Sequence, residues 1–165
     1  MTAQNIADIV IGIALVGFLI YRQTTWQYLD TGRIWRTPAV LGLIGLVMTA
    51  QSGTGRITSA DVAFIAAEVV VSVSIGLVMG SIAHFRVAST PNAKGHTVQT
   101  RTGALGAVLW IALIAVRIGM DVLGAHLGAH LLSSTGMILL MIAVNRAARA
   151  LVLDRRIPSP ARAGA

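Results

Sequence analysis

Five long apolar runs, each bounded by charged or aromatic residues, constrain this chain more than any other feature of its sequence. A helix needs about 20 residues to cross a hydrocarbon core about 30 Å thick, with roughly 17 to 25 as the working range. Segments at about residues 5–21, 36–50, 62–82, 103–123 and 131–149 meet or approach that length. Within 62–82 the only formal charge is Glu68, and the stretch from Ala107 to Val116 carries none. The second segment is the shortest and contains Gly42 and Gly45, so tilt or local bilayer thinning has to accommodate it. Charged residues make up 12% of the 165-residue chain and its mean hydropathy is +0.77. A water-soluble domain carries about 25% charged residues. These features predict an all-α fold, an integral membrane bundle of five transmembrane helices forming a single domain over 1–165. Residues 157–165, rich in Pro and Ala, read as a disordered cytoplasmic tail.

The distribution of charge orients the bundle. A cleaved secretory signal carries its basic flank before its apolar core, whereas the first basic residue here, Arg22, follows it. The first segment is therefore expected to remain as a reversed anchor. Arg22, Arg33 and Arg36 lie between the first two segments, and Arg86, Lys94 and Arg101 between the third and fourth. Arg146, Arg149, Arg155, Arg156 and Arg162 lie at or after the end of the fifth, so 11 of the 13 Lys and Arg residues share one side. The positive-inside rule assigns that side to the cytoplasm, with the N-terminus out and the C-terminus in. Asp61 opens the third segment, where a carboxylate can cap exposed N–H groups.

This clustering accounts for the formal charge of +7 without nucleic acid. The expected partner is the lipid bilayer, with anionic lipids at the cytoplasmic face of the cell membrane. Within the membrane the expected partners are a homo-oligomer or another integral membrane protein. Residues 22–35 contain Trp26, Tyr28 and Trp35, whose amphipathic rings suit a headgroup-level turn or a short interfacial helix. Residues 83–102 form the longest connection, with a turn marked by Pro91, Asn92 and Gly95. The five segments show no internal repeat and do not divide into equal halves, which disfavours an inverted-repeat transporter within one chain.

Charges inside a bilayer are costly and usually face a partner or a cavity. At 1.5 Å rise per residue, Glu68 lies about 10 Å below the outer end of the third segment and Arg117 about 9 Å below that of the fourth. Their equal depth permits a Glu68–Arg117 ion pair, and Asp121 shares a helix face with Arg117 at i+4. Glu68, Ser72, Gly76 and Gly80 recur every four residues, placing a small-residue packing surface beside the carboxylate. Gly103, Gly106, Trp110, Leu113, Arg117 and Asp121 follow spacings of three and four on the fourth segment. Asn145 is expected to make an interhelical hydrogen bond, with Met137 and Met141 packing on its face. Ser133, Ser134 and Thr135 are expected to bond locally to helix carbonyls. Three roles fit the charged cluster: a lock on helix register, a lining for ions, protons or a small polar ligand, or snorkelling of Arg117 to the outer headgroups. Under the second, Glu68 is the best proton-exchanging group.

The chain has no cysteine, which removes thiol catalysis, disulfide exchange, cysteine-ligated iron–sulfur clusters and covalent haem attachment. It contains no HExxH, Walker A or GxSxG motif. His126 and His130 share a helical spacing, yet a metal site needs further ligands, and His84 and His96 fall on the opposite side. No metal, cofactor or enzymatic activity is expected.

Taken in order, Tyr21-Arg22-Gln23, Gly76 and Gly80, Arg86, Arg101-Thr102-Gly103, Trp110 and Arg117 resemble the bacterial multi-pass membrane family associated with CcdC and cytochrome c biogenesis. The resemblance covers about residues 9–150. It implies a small helical protein of the cell membrane and supplies no catalytic apparatus. The lack of cysteine argues against a direct thiol relay. The expected role is a non-enzymatic membrane accessory or scaffold. The alternative is a channel or carrier for an ion, proton or small polar solute, formed as an oligomer.

Overall fold

The structure, a computed structural model, describes residues 17–18, 20–30, 33–51, 57–129 and 131–157. Most of the first segment and residues 158–165 lie outside this range, as does His130. The chain is mostly helical. After a helical stretch ending at Thr24 come strand β1 (Gln27–Tyr28), helices α1 (Arg36–Gln51) and α2 (Ser59–Ser81), strands β2 (His84–Val87) and β3 (Val98–Arg101), and helices α3 (Gly103–His126) and α4 (Thr135–Arg156). Helices α2, α3 and α4 span 23, 24 and 22 residues and are long and apolar enough to cross a membrane. At the α-helical rise each is about 33–36 Å long, whereas α1, with 16 residues, reaches about 24 Å. Large apolar side chains such as Val70, Leu105, Ile118 and Val122 are exposed along these helices. A bilayer accepts such surfaces as readily as a protein core would.

Helix α4 is the centre of the packing, lying against both α1 and α2, while α3 touches α2 more sparsely. Small residues set the two close crossings. A Cβ at Gly45 of α1 would lie 2.9 Å from the carbonyl oxygen of Gly136, and Gly136 in turn faces Thr49. On α2, a Cβ at Gly76 would collide with the backbone carbonyl of Asn145, and one at Gly80 would come within 2.6 Å of Val152 Cβ. Both sequence positions rise together along the α2–α4 contact, so these helices run parallel, whereas α1 and α4 are antiparallel. The face of α2 that carries Ser72, Gly76 and Gly80 is thus the face laid on α4.

The two ends of the bundle are fastened differently. At one end Thr58 is the N-cap of α2 and Asp61 completes a reciprocal capping box, accepting from the Thr58 N–H at 3.0 Å and hydroxyl at 2.8 Å. Asp61 is therefore the third helical residue, not the cap itself, and its other carboxylate oxygen accepts from Leu131 N–H at 3.0 Å. This ties the start of α2 to the connection before α4. Ser134 accepts from the Met137 N–H, so its hydroxyl caps α4 where the sequence reading had it bonding a carbonyl. That cap moves the helix start from 131 to Thr135.

At the other end the loops build a small antiparallel sheet in the order β1-β3-β2, an addition to the expected all-α fold. Residues 22–35 hold the two-residue strand β1 together with turn backbone at 33–35, the turn being the expected part and the strand the addition. Two guanidinium groups lie over the Trp26 ring, that of Arg86 at 4.3 Å and that of Arg101 at 4.9 Å from its centroid. Arg156 donates to the carbonyls of Gly80 and Ser81 and covers the Phe85 ring, joining the last turn of α4 to α2 and the sheet. Helix α4 consequently runs past the expected boundary at 149, with Ala150 and Leu153 buried and Ile157 buried at its C-cap. Ile157 belongs to the bundle and not to the tail.

The crossing geometry yields a direct check. Gly76→Ala should lower the thermal unfolding midpoint by the equivalent of about 1–3 kcal/mol through overpacking. Gly119→Ala, where an added Cβ meets nothing within 4 Å, should not. Equal effects of the two substitutions in detergent melts would contradict the assigned α2–α4 contact.

Candidate functional site

The intramembrane charges converge where α2, α3 and the connection before α4 meet. Helix α2 presents Glu68 on the same face as its small residues, and its side chain is only 4% exposed. Helix α3 lies antiparallel to it and places Arg117 at the same depth. Arg117 donates one guanidinium nitrogen to Glu68 Oε1 and the other to the carbonyl oxygen of Leu132. Asp121, one turn along α3, lies with Oδ2 3.2 Å from Arg117 Nε. The guanidinium thus contacts two carboxylates and one backbone carbonyl. A charge-assisted contact of this kind replaces the hydration that each ion loses.

The Leu132 carbonyl is not legible in the sequence as a partner of Arg117. Backbone acceptors near a helix start leave no compositional trace. Its role follows from the geometry of the 127–134 connection, where Asp61 holds the Leu131 N–H and Leu132 is 1% exposed. The same short segment is therefore gripped by an acid from α2 and a base from α3.

Asn145, 1% exposed, donates from Nδ2 to the Ser72 carbonyl at 2.9 Å, and Ser72 is itself buried. This bond crosses from α4 to α2 one turn beyond Glu68. Met137 and Met141 are buried on the same helix as packing side chains. Gly103 differs from the packing role expected of it: with φ +72° and nothing within 4 Å of an added Cβ, it turns the chain from β3 into α3. Gly106 makes room for the Thr102 side chain and for Gln23 Oε1 from the first helical stretch. Trp110 lies farther along α3 than Gly106, at the boundary between two cavities.

One of those cavities, of about 160 Å³, is bounded by Glu68, Ser72, Trp110, Leu113, Arg117 and Met141 with several Ile and Val side chains. Its walls are almost entirely apolar apart from the ion pair at one end. His126 is exposed at the end of α3, and no group of three or more His, Asp or Glu residues poised to hold a metal occurs among the described residues. No family model, curated protein or solved structure matches the chain.

Removing one member of the pair should cost more than removing both. Arg117→Leu leaves Glu68 buried without its cation and should destabilise the fold by about 3–5 kcal/mol, whereas Arg117→Leu with Glu68→Leu should recover most of that loss. Denaturation in mixed micelles measures both; additive losses would show that the two side chains do not depend on one another.

Proposed function

We propose that this chain is a non-enzymatic integral membrane accessory or scaffold protein of the cell membrane, whose intramembrane charges fix helix register. The observation that carries this reading is the engagement of Arg117: its guanidinium meets Glu68, Asp121 and the Leu132 carbonyl inside the bundle. A cation held on three sides in this way is a poor candidate for a group that must release and rebind cargo. It is well placed to hold α2, α3 and the entry to α4 in one arrangement. On this reading partners meet the lipid-facing helix surfaces and the basic end, as a second copy or another integral membrane protein.

The proposed topology has five spans with the N-terminus outside and the C-terminus inside. It is supported by the alternation of helix directions and by the gathering of Arg86, Arg101, Arg149 and Arg156 at the end that carries the sheet. Because the native chain lacks cysteine, single-cysteine reporters read topology without background. In intact cells an impermeant maleimide should label Leu127→Cys and leave Lys94→Cys unlabelled until the membrane is opened. The reverse pattern would invert the orientation.

A carrier is the second reading, favoured by the apolar cavity that reaches the Glu68–Arg117 pair. Proteoliposomes distinguish the two. The scaffold reading expects ion and proton fluxes equal to those of protein-free vesicles for both wild type and Glu68→Gln. A saturable flux present in the wild type and lost in Glu68→Gln would establish the carrier instead.

A further inference from the structure

At the sheet end of the bundle a second cavity, of about 280 Å³, is lined by three stretches of the chain that are far apart in sequence. Arg22 and Gln23 come from the end of the first helical stretch, Arg33 from the approach to α1, Thr100 and Arg101 from β3, and Arg146 and Arg149 from α4. Two short sequence features thereby meet: the Thr102 hydroxyl donates to Gln23 Oε1, which sets Arg22 and Arg101 on the same cavity. Five arginines face a single carboxylate, Asp30, and that carboxylate lies 3.6 Å from His96 Nε2. Arg22, Arg146 and Arg149 are close enough for their charges to repel one another.

Polar groups on the cavity wall lack partners. Among the described residues, the buried side-chain atoms without a hydrogen bond fall in two places. Three belong to the Glu68, Arg117 and Asp121 cluster. The other four, Arg146 Nε, Arg149 Nε, Thr100 Oγ1 and Trp110 Nε1, belong to residues that line this cavity. All four can donate a hydrogen bond. Burying donors and like charges together is unfavourable unless an acceptor of opposite charge joins them. Guanidinium groups match the oxygen geometry of phosphate, and basic pockets between membrane helices suit phosphorylated headgroups.

We propose that this basic cavity is an anion site that takes a phosphate group, carried by a lipid headgroup or by a small phosphorylated solute. Arg146 and Arg149 contact the phosphate from α4, Arg22 and Arg101 neutralise it from the sheet side, and the Thr100 hydroxyl donates to one of its oxygens. Occupancy adds a charged tie among the first helical stretch, β3 and α4, beside the Thr102–Gln23 hydrogen bond and against the mutual repulsion of Arg22, Arg146 and Arg149.

The test is titration calorimetry on the full chain in a neutral detergent, using inorganic phosphate and, separately, dioctanoyl phosphatidic acid. Dioctanoyl phosphatidylcholine is the control for apolar and zwitterionic binding. Saturable binding of inorganic phosphate identifies a soluble source, and saturable binding of phosphatidic acid alone identifies a lipid source. In either case Arg146→Gln and Arg149→Gln should each weaken binding about tenfold, the loss expected for one charge-assisted contact. Arg155→Gln, at an exposed arginine on the same end of α4, should leave binding unchanged. If Arg149→Gln does not yield a folded sample, Thr100→Val removes a donor while keeping every charge, and weaker binding is again expected. Three results would overturn the proposal: no saturable binding of either probe, equal binding of phosphatidylcholine, or an equal loss in Arg155→Gln, which would mark diffuse surface attraction.

Discussion

The arrangement of this protein depends on where one guanidinium group finds its partners. Arg117 sits midway along an apolar helix, where a bare cation is costly and a satisfied one is a strong constraint on geometry. Glu68 supplies the opposite charge from α2 and Leu132 supplies a carbonyl from the connection before α4. Since these contacts come from separate parts of the chain, they can be made together only in one helix register. Apolar packing against lipid-like surfaces has no comparable selectivity, because hydrocarbon tails compete with side chains on nearly equal terms. The ion pair therefore supplies specificity, while the close crossings supply cohesion.

Those crossings rely on missing side chains. Gly45 with Gly136, and Gly76 and Gly80 with the backbone of α4, bring helix axes near enough for dispersion and a buried amide bond to contribute. The Asn145–Ser72 bond lies at the parallel crossing, where a larger residue at 76 would push the helices apart. At one end an acid-based cap on α2 reaches across to Leu131, and at the other the basic sheet and Arg156 close the bundle. The asymmetry of charge that marks the sequence is thus also an asymmetry of fastening.

Much of this was legible beforehand because bilayer thickness converts apolar run length into helix length. The boundaries of α1, α2 and α3 follow from charges and glycines at their ends, and equal depths along helices singled out Glu68 and Arg117. Three features were hidden for identifiable reasons. Helix α4 extends to Arg156 because Ala150 and Leu153 continue its buried face, although Arg146 and Arg149 look like a membrane boundary. The sheet escaped notice because its strands have only two to four residues, although the turn marked by Pro91, Asn92 and Gly95 does lie in the β2–β3 connection, where the Gly95 N–H donates to the Asn92 carbonyl. The basic cavity draws arginines from positions 22 to 149, and their convergence exists only in the fold.

Solid-state NMR in lipid bilayers reads the pairing of Glu68 with Arg117 within the membrane most directly. Glu68 is the sole glutamate in the chain, so carboxyl-labelled glutamate marks a single carbon, and nitrogen-labelled arginine provides the reporter. Pairing predicts strong carbon–nitrogen dipolar dephasing at that carboxyl, abolished by Arg117→Leu. Dephasing that is absent in the wild type, or that persists after Arg117→Leu, would contradict it.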